Sequence, residues 1–493
     1  MKKIFILLTG IGCLGMTSCK EDIIQITPLT NNTANDFYVD EYQLNQATLS
    51  IYNAYNTIPV SSNWYLSEVR SDNTREINGG GAQRDWADIG LFQASSQTGA
   101  LQGAWTNLYS VIYRSNIVLE KSTKFKSNLA LQMQAEARYF RGLAYFDLVR
   151  FWGDVPLVTK TISIVQAKNS PRNAREEVYK QIVDDLQQAS QILPETYALA
   201  DKGRATKYAA KAVLGRVYLT MAGFPLKQAD KLDLAKKELA DIIAQEAKYF
   251  AFPATYKDLF TIAGKNKSNP FEVQYLSGGL GLGNQVPAVQ GFQYPSQWSA
   301  YQPIDGFDGE PDPLLLLAYG LTDVRKVATL DSGYTDTKTL AKSGRVQFTK
   351  FLEKGSTLPQ NNRDYSTNFP VVRYADVLLM YAEILNEQGL LTDANIILNR
   401  IRTFAKATVI TPKTQAEFRL AMEKERRLEF AAEGLRWHDL VRTGRAIEVM
   451  NAFAQLYSIK LSRPISENDL IFPIPLNEMN INPGFWKQNA GYN

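Results

Sequence analysis

The sequence predicts a mainly α fold, a helical-repeat scaffold of paired helices that carries long decorating loops and little β structure. Two observations predict it. Apolar residues recur at three- and four-residue spacing along most of the chain, whereas β-branched alternation is scarce and short. A glycine followed three residues later by tyrosine also recurs, in Gly142-x2-Tyr145 and Gly215-x2-Tyr218. In a tetratricopeptide-like helix pair, that glycine lets the second helix approach and the aromatic fills the gap beside it. With 493 residues and 45% hydrophobic content, the chain can bury a large core.

Residues 1–18 read as a leader. Lys2 and Lys3 precede a short apolar run, and small residues lead into Cys19. That run is shorter than the roughly 20 apolar residues a membrane-spanning helix needs, so a secretory signal fits better than an anchor. Small residues directly before a cysteine resemble a bacterial lipobox. On that reading Cys13 is discarded and Cys19 becomes the lipidated N-terminus. The following Lys20-Glu21-Asp22 resembles a short tag for export to the outer face. Residues 19–35 then form a tether, and 36–493 a single domain.

The helices follow in order. Trp105-x2-Leu108 with Ile112 fits the opening of one repeat. The two glycine copies come next, each followed by an amphipathic partner, Val178 to Leu193 and Leu234 to Ile243. A further pair runs from Tyr374 to Phe404, with its turn between Gly389 and Asp393. The spacing is irregular, unlike a regular solenoid. Two inserts interrupt it, near 61–100 and 264–312. They are rich in glycine and polar residues, and the second also in proline and aromatics. Loops on a rigid frame are where function usually sits.

Few residues suit catalysis. The one histidine, His438, lies between Trp437 and Asp439 and reads as packed or capping. No HExxH or CxxC is present, so the usual zinc ligand set is missing, and no cofactor or metal is expected. GLGLGN at 279–284 lacks the preceding strand and the Lys-Ser/Thr of a phosphate loop. DGFDGEPD at 305–312 departs from calcium-loop spacing and reads as a solvated turn. Glu423, Glu425, Arg426, Arg427, Glu429, Glu433 and Arg436 mix acids with arginines. This pattern predicts intrahelical and tertiary ion pairs, Glu423 with Arg427 among them, rather than a carboxylate active site. Removing Lys2 and Lys3 takes the net charge from +4 to +2, which argues against a nucleic-acid partner. Elimination favours a binding protein over an enzyme.

Five ordered stretches then resemble the SusD/RagB family. They are AEARYFRGLAYFDLVRFWGDVPLV at 135–158, NFPVVRYADVLLMYAEILNE at 368–387, ILNRIR at 397–402, ERRLEFAAEGLRWHDLVRTG at 425–444 and LIFPIPLNEMNINPGF at 470–485. The closing Gln488-Asn489-Ala490-Gly491-Tyr492 is similar to the family's ending, with alanine at its proline. The resemblance implies an outer-membrane surface lipoprotein with a tetratricopeptide-like scaffold. It implies a lid on a SusC-like TonB-dependent transporter, to which captured oligosaccharides are delivered. A RagB-like lid that binds peptides, and a pure docking lid, are the alternatives. Arg141, Asp147 and Trp152 then read as scaffold.

Neutral glycans lay their C–H faces on aromatic rings, while flanking polar groups bond the hydroxyls. Among the 25 Tyr, 23 Phe and 7 Trp, the candidates are therefore aromatics interleaved with polar residues. The first insert offers Asp72, Asn73, Arg84 and Trp86. It aligns in order with the family segment that commonly supplies ligand contacts. The second offers Trp298 and Tyr301, with Tyr294 as an anchoring residue.

Overall fold

The computed structural model describes residues 38–75, 84–290, 310–331, 334–335, 342–343, 346–353, 361, 363–461 and 463–492. The leader, Cys19 and the tether lie outside the described residues, as do Tyr294, Trp298 and Tyr301.

The scaffold is a chain of packed helices: α1 (Glu41–Tyr55), α2 (Arg84–Gly90), α3 (Gly99–Lys121), α4 (Asn128–Trp152), α5 (Arg175–Ile192), α6 (Lys207–Ala222), α7 (Lys231–Ile243), α8 (Tyr374–Glu387), α9 (Leu391–Phe404) and α10 (Gln415–Glu429). From α3 to α9 each packs on its neighbour in this order. Local chemistry sets several ends. Ser127 and Thr206 accept the N–H groups of Ala130 and Ala209 and so cap α4 and α6. Gly389, at φ +79°, takes the left-handed turn out of α8.

The repeat glycines act as the sequence predicts. A Cβ on Gly142 would stand 3.0 Å from the Leu186 side chain of α5, and one on Gly215 2.7 Å from Leu239 of α7. Their aromatics fill the seam beside them. Tyr145 donates to the Val158 carbonyl at 2.9 Å, and Tyr218 accepts from Gln187 at 2.9 Å. Trp105 meets Trp152 edge-on at 5.2 Å, and the Trp152 indole donates to the Pro473 carbonyl. One contiguous core runs from Leu44 to Ile474.

The described parts of both inserts are less loop-like than expected. Residues 59–68 form a wide helix in which the Val69 N–H reaches back five residues to Trp64, and Trp64, Leu66 and Glu68 are buried. In the second insert Phe271–Val273 is a buried strand paired antiparallel with Phe369–Val372. A strand therefore does precede GLGLGN. The Gly278 and Gly279 N–H groups nevertheless bond the Asp364 carboxylate, a tie within the fold. Of the turn expected at 305–312 only the end is described, and there Glu310 and Asp312 are buried rather than solvated, Asp312 capping a short helix through the Leu314 N–H.

The charged run holds the core from within. Arg325 bonds Asp323, Glu425 and Glu429 at 2.8, 2.7 and 3.0 Å. Arg373 bonds Glu429 and Glu433 at 2.8 Å each, and Lys350 bonds Glu433 at 2.6 Å. The pairs are tertiary. Glu423 pairs with Arg436 and Arg445 rather than with Arg427, which turns to Asp72. Arg141 and Asp185 make a bidentate pair at 2.8 and 2.7 Å. His438 packs against Phe151 with the rings tilted and their centroids 4.8 Å apart, and its burial beside Arg150 and Arg216 pushes its pKa well down.

Asp376 carries a pH prediction. Burial opposes its ionisation, but Arg216 at 2.5 Å and Arg426 at 2.6 Å outweigh burial and hold its pKa well below the usual range. The stability it contributes is therefore present above the unfolded carboxyl pKa of about 4 and is lost as pH falls below that value. Asp376→Asn should be less stable than wild type at neutral pH, and denaturant titrations should show the gap closing as the solution is acidified. A gap independent of pH would count against the charge.

Candidate functional site

The two inserts meet on one foundation. Thr74–Arg75 pairs antiparallel with Glu310–Pro311, so the chain enters residues 76–83 and leaves residues 291–309 side by side. The Asp312 N–H bonds the Asn73 carbonyl at 2.8 Å and continues the join. Within the second insert, just before residue 291, Gln290 is buried and donates to the Ala432 carbonyl at 3.0 Å.

Glu68 sits at the centre of this foundation. One carboxylate oxygen accepts the Ala432 N–H at 2.7 Å and the Asn73 amide at 2.9 Å, and the other accepts the Gly434 N–H at 2.8 Å. Ala432 and Gly434 both have left-handed φ, +72° and +74°, which turns their N–H groups into an anion-binding concavity. Burial still pushes the Glu68 pKa up against these donors. Gly434 has no substitute here. A Cβ would lie 2.4 Å from the Asn63 carbonyl oxygen, in a backbone conformation side chains disfavour. We expect Gly434→Ala to cost about 2–4 kcal/mol in urea unfolding, through strain and the lost bond to Glu68. A change under about 0.5 kcal/mol, the ordinary surface value, would contradict this account.

Asp72 and Asn73 belong to the same foundation, which corrects their reading as ligand contacts. Asp72 is buried, and Arg436 grips its carboxylate at 2.7 and 2.9 Å. Burial raises its pKa, but Arg436 and Arg427 outweigh that and hold it low. Asn73 is fully buried, with its amide on Glu68 and its oxygen accepting from Arg427 at 3.0 Å. Polar residues before a glycine run look like loop ligands in sequence. Their arginine partners lie more than 350 residues away, where no local pattern shows them.

Trp86 is placed differently. It lies on α2, and Asp85 beside it accepts the Ala100 N–H at 2.9 Å, pinning α2 to the start of α3. Gly99 leaves room for that carboxylate, since a Cβ there would stand 2.7 Å from it. The Trp86 ring stacks on Tyr65 with centroids 3.5 Å apart and planes within 2°. Tyr65 is buried and Trp86 half-buried, so the indole has a rigid backing on one face. Sequence reading missed Tyr65, Asp85 and Glu68. Arg84 opens the same helix, and its side chain lies outside the described residues, as do Trp298 and Tyr301. The site as described is thus a backed aromatic ring beside a clamp that joins the two inserts.

Comparison with known proteins agrees with this architecture. A family model described as "SusD family" matches residues 324–492, and one described as "Starch-binding associating with outer membrane" matches 27–219. A SusD-like protein of Bacteroides ovatus is 27% identical, over 88% of this chain and 82% of its own. A SusD homolog from Bacteroides thetaiotaomicron superposes with a TM-score of 0.79 at 24% identity, covering 93% of this chain and 98% of that one. A laminarin-binding SusD-like protein superposes at 0.77 with 25% identity, covering 92% and 100%. These matches and the tetratricopeptide-like scaffold agree: the chain belongs to the SusD/RagB family.

Proposed function

We propose that this protein is a surface-exposed glycan-binding lipoprotein, anchored to the outer membrane through Cys19. It captures oligosaccharides and delivers them, as a lid, to a SusC-like TonB-dependent transporter. The observation that carries the reading is the Tyr65–Trp86 stack within the first insert. A ring backed by another ring is held flat, and its orientation costs little entropy on binding. That arrangement suits a pyranose face. The laminarin-binding relative supports a neutral glucan as the first ligand to try. Trp298 and Tyr301, on the chain that returns at Glu310, are proposed to complete the platform, with Arg84 bonding hydroxyls.

The test is calorimetric titration of the purified protein with neutral polysaccharides, laminarin first. Binding to at least one should appear and should persist from low to high salt, because a neutral ligand gives screening little to act on. Binding that collapses with salt, or no binding across the panel, would contradict a neutral-glycan site.

A further inference from the structure

A second cavity lies away from the two inserts, and no residue of either lines it. It holds about 260 Å³. The end of α4, the start of α5, the end of α6 and the short helix Arg436–Arg442 come together around it, with Leu470 and Ile471 on the remaining side.

The charge on its walls is one-sided. Arg150, Arg175 and Arg442 line it, against the single acid Glu467, which is exposed. Two of these arginines have close acids of their own. Arg150 bonds Asp147, and Arg442 bonds Glu383 and Asp439 at 2.5 and 2.9 Å. Arg175 is held loosely. Its carboxylate neighbour, Asp154, stands 3.9 Å from the guanidinium and already accepts the Arg175 backbone N–H at 3.0 Å. Gly153, at φ +72°, leaves room for that guanidinium, since a Cβ there would lie 3.2 Å from it.

Two neutral donors line the same space without a partner. Tyr179 of α5 is 4% exposed, and its hydroxyl makes no hydrogen bond among the described residues. It stands within electrostatic reach of both Arg150 and Arg175, and burial pushes its pKa up to about 12, so it keeps its proton. His438 likewise makes no hydrogen bond among the described residues. Burial beside Arg150 and Arg216 keeps its ring neutral, and one nitrogen of a neutral imidazole carries a proton to donate. Buried polar groups without partners are rare in folded proteins, and a ligand is one thing that satisfies them.

We infer that this cavity binds a small oxyanion, the carboxylate of an organic acid or inorganic phosphate. The Arg175 guanidinium grips two of its oxygens, and the Tyr179 hydroxyl and the His438 N–H donate to it from the sides. A planar guanidinium matches either oxyanion in this way. Size narrows the class further. The cavity falls below the range of drug-sized sites, so it suits a free anion or a single sugar acid and not an oligosaccharide. The site is independent of the Tyr65–Trp86 stack and of whatever ligand that stack carries.

His438 is the chain's one histidine, so ring labelling of histidine gives the full-length protein a single imidazole reporter in the cavity. Sodium phosphate and sodium glucuronate, titrated at fixed pH and ionic strength, should move its NMR signals saturably with at least one of them. The tighter of the two identifies the source of the oxyanion. Sodium chloride should leave the signals in place. Arg175→Gln, at a partly exposed position, should weaken binding about tenfold or more, and Tyr179→Phe about two- to tenfold, the ranges for one charged and one neutral hydrogen bond. Circular dichroism matched to wild type shows that a variant is folded, and either folded variant suffices. A His438 signal unmoved by both oxyanions would overturn the proposal. So would an equal shift with chloride, which is screening alone, or wild-type affinity in the folded variants.

Discussion

Glu429→Ala should lower the stability of the protein by about 3–5 kcal/mol, the range for removing one partner from a buried ion-pair network. Glu429 accepts from both Arg325 and Arg373, whose side chains are no more than 1% exposed. Burial opposes its ionisation, but Arg373, Arg325 and Lys350 together outweigh burial and keep it charged. Deleting the carboxylate leaves Arg325 with Asp323 and Glu425, and Arg373 with Glu433, so two guanidinium groups stay buried with less charge around them than they need. The loss should appear as a lower urea midpoint with an unchanged slope. Arg419→Ala, which breaks the half-exposed pair with Glu387, should by contrast cost about 0–1 kcal/mol. Equal effects at the two positions would mean that the buried network does not organise the core.

The same network shows what the sequence could reveal. Acids and arginines at Glu425, Arg426, Glu429, Glu433 and Arg436 announced ion pairs, and the structure contains them. Their partners did not show in the sequence. Arg325, Lys350 and Arg373 come from distant segments, and a helical wheel sees only neighbours three or four residues away. The paired helices were legible because Gly142 and Gly215 are local signatures of close approach. The inserts misled for a physical reason. Residues 61–75 are polar, yet Glu68, Asp72 and Asn73 are satisfied by Gly434, Arg436 and Arg427 far along the chain. A polar residue at a loop edge reads as exposed until its partner is known. Trp86 could be named from sequence as an aromatic among polar residues. That it lies flat against Tyr65 could not.

That stack makes Trp86→Ala the substitution with the largest expected effect on binding. The indole is the half-buried outer ring of a fixed pair, so truncation removes the platform ring and uncovers the face of the tyrosine behind it. Central aromatic anchors of this kind account for about 2 kcal/mol or more, or roughly 30-fold in affinity. The fold should survive, because the clamp of Glu68, Asp72 and Gly434 does not pass through Trp86. Affinity electrophoresis in gels cast with laminarin, or with whichever glycan the titrations select, reads this directly. Wild type should be retarded, and Trp86→Ala and Trp298→Ala should each run as they do without glycan. Unchanged retardation in both variants would contradict the aromatic platform.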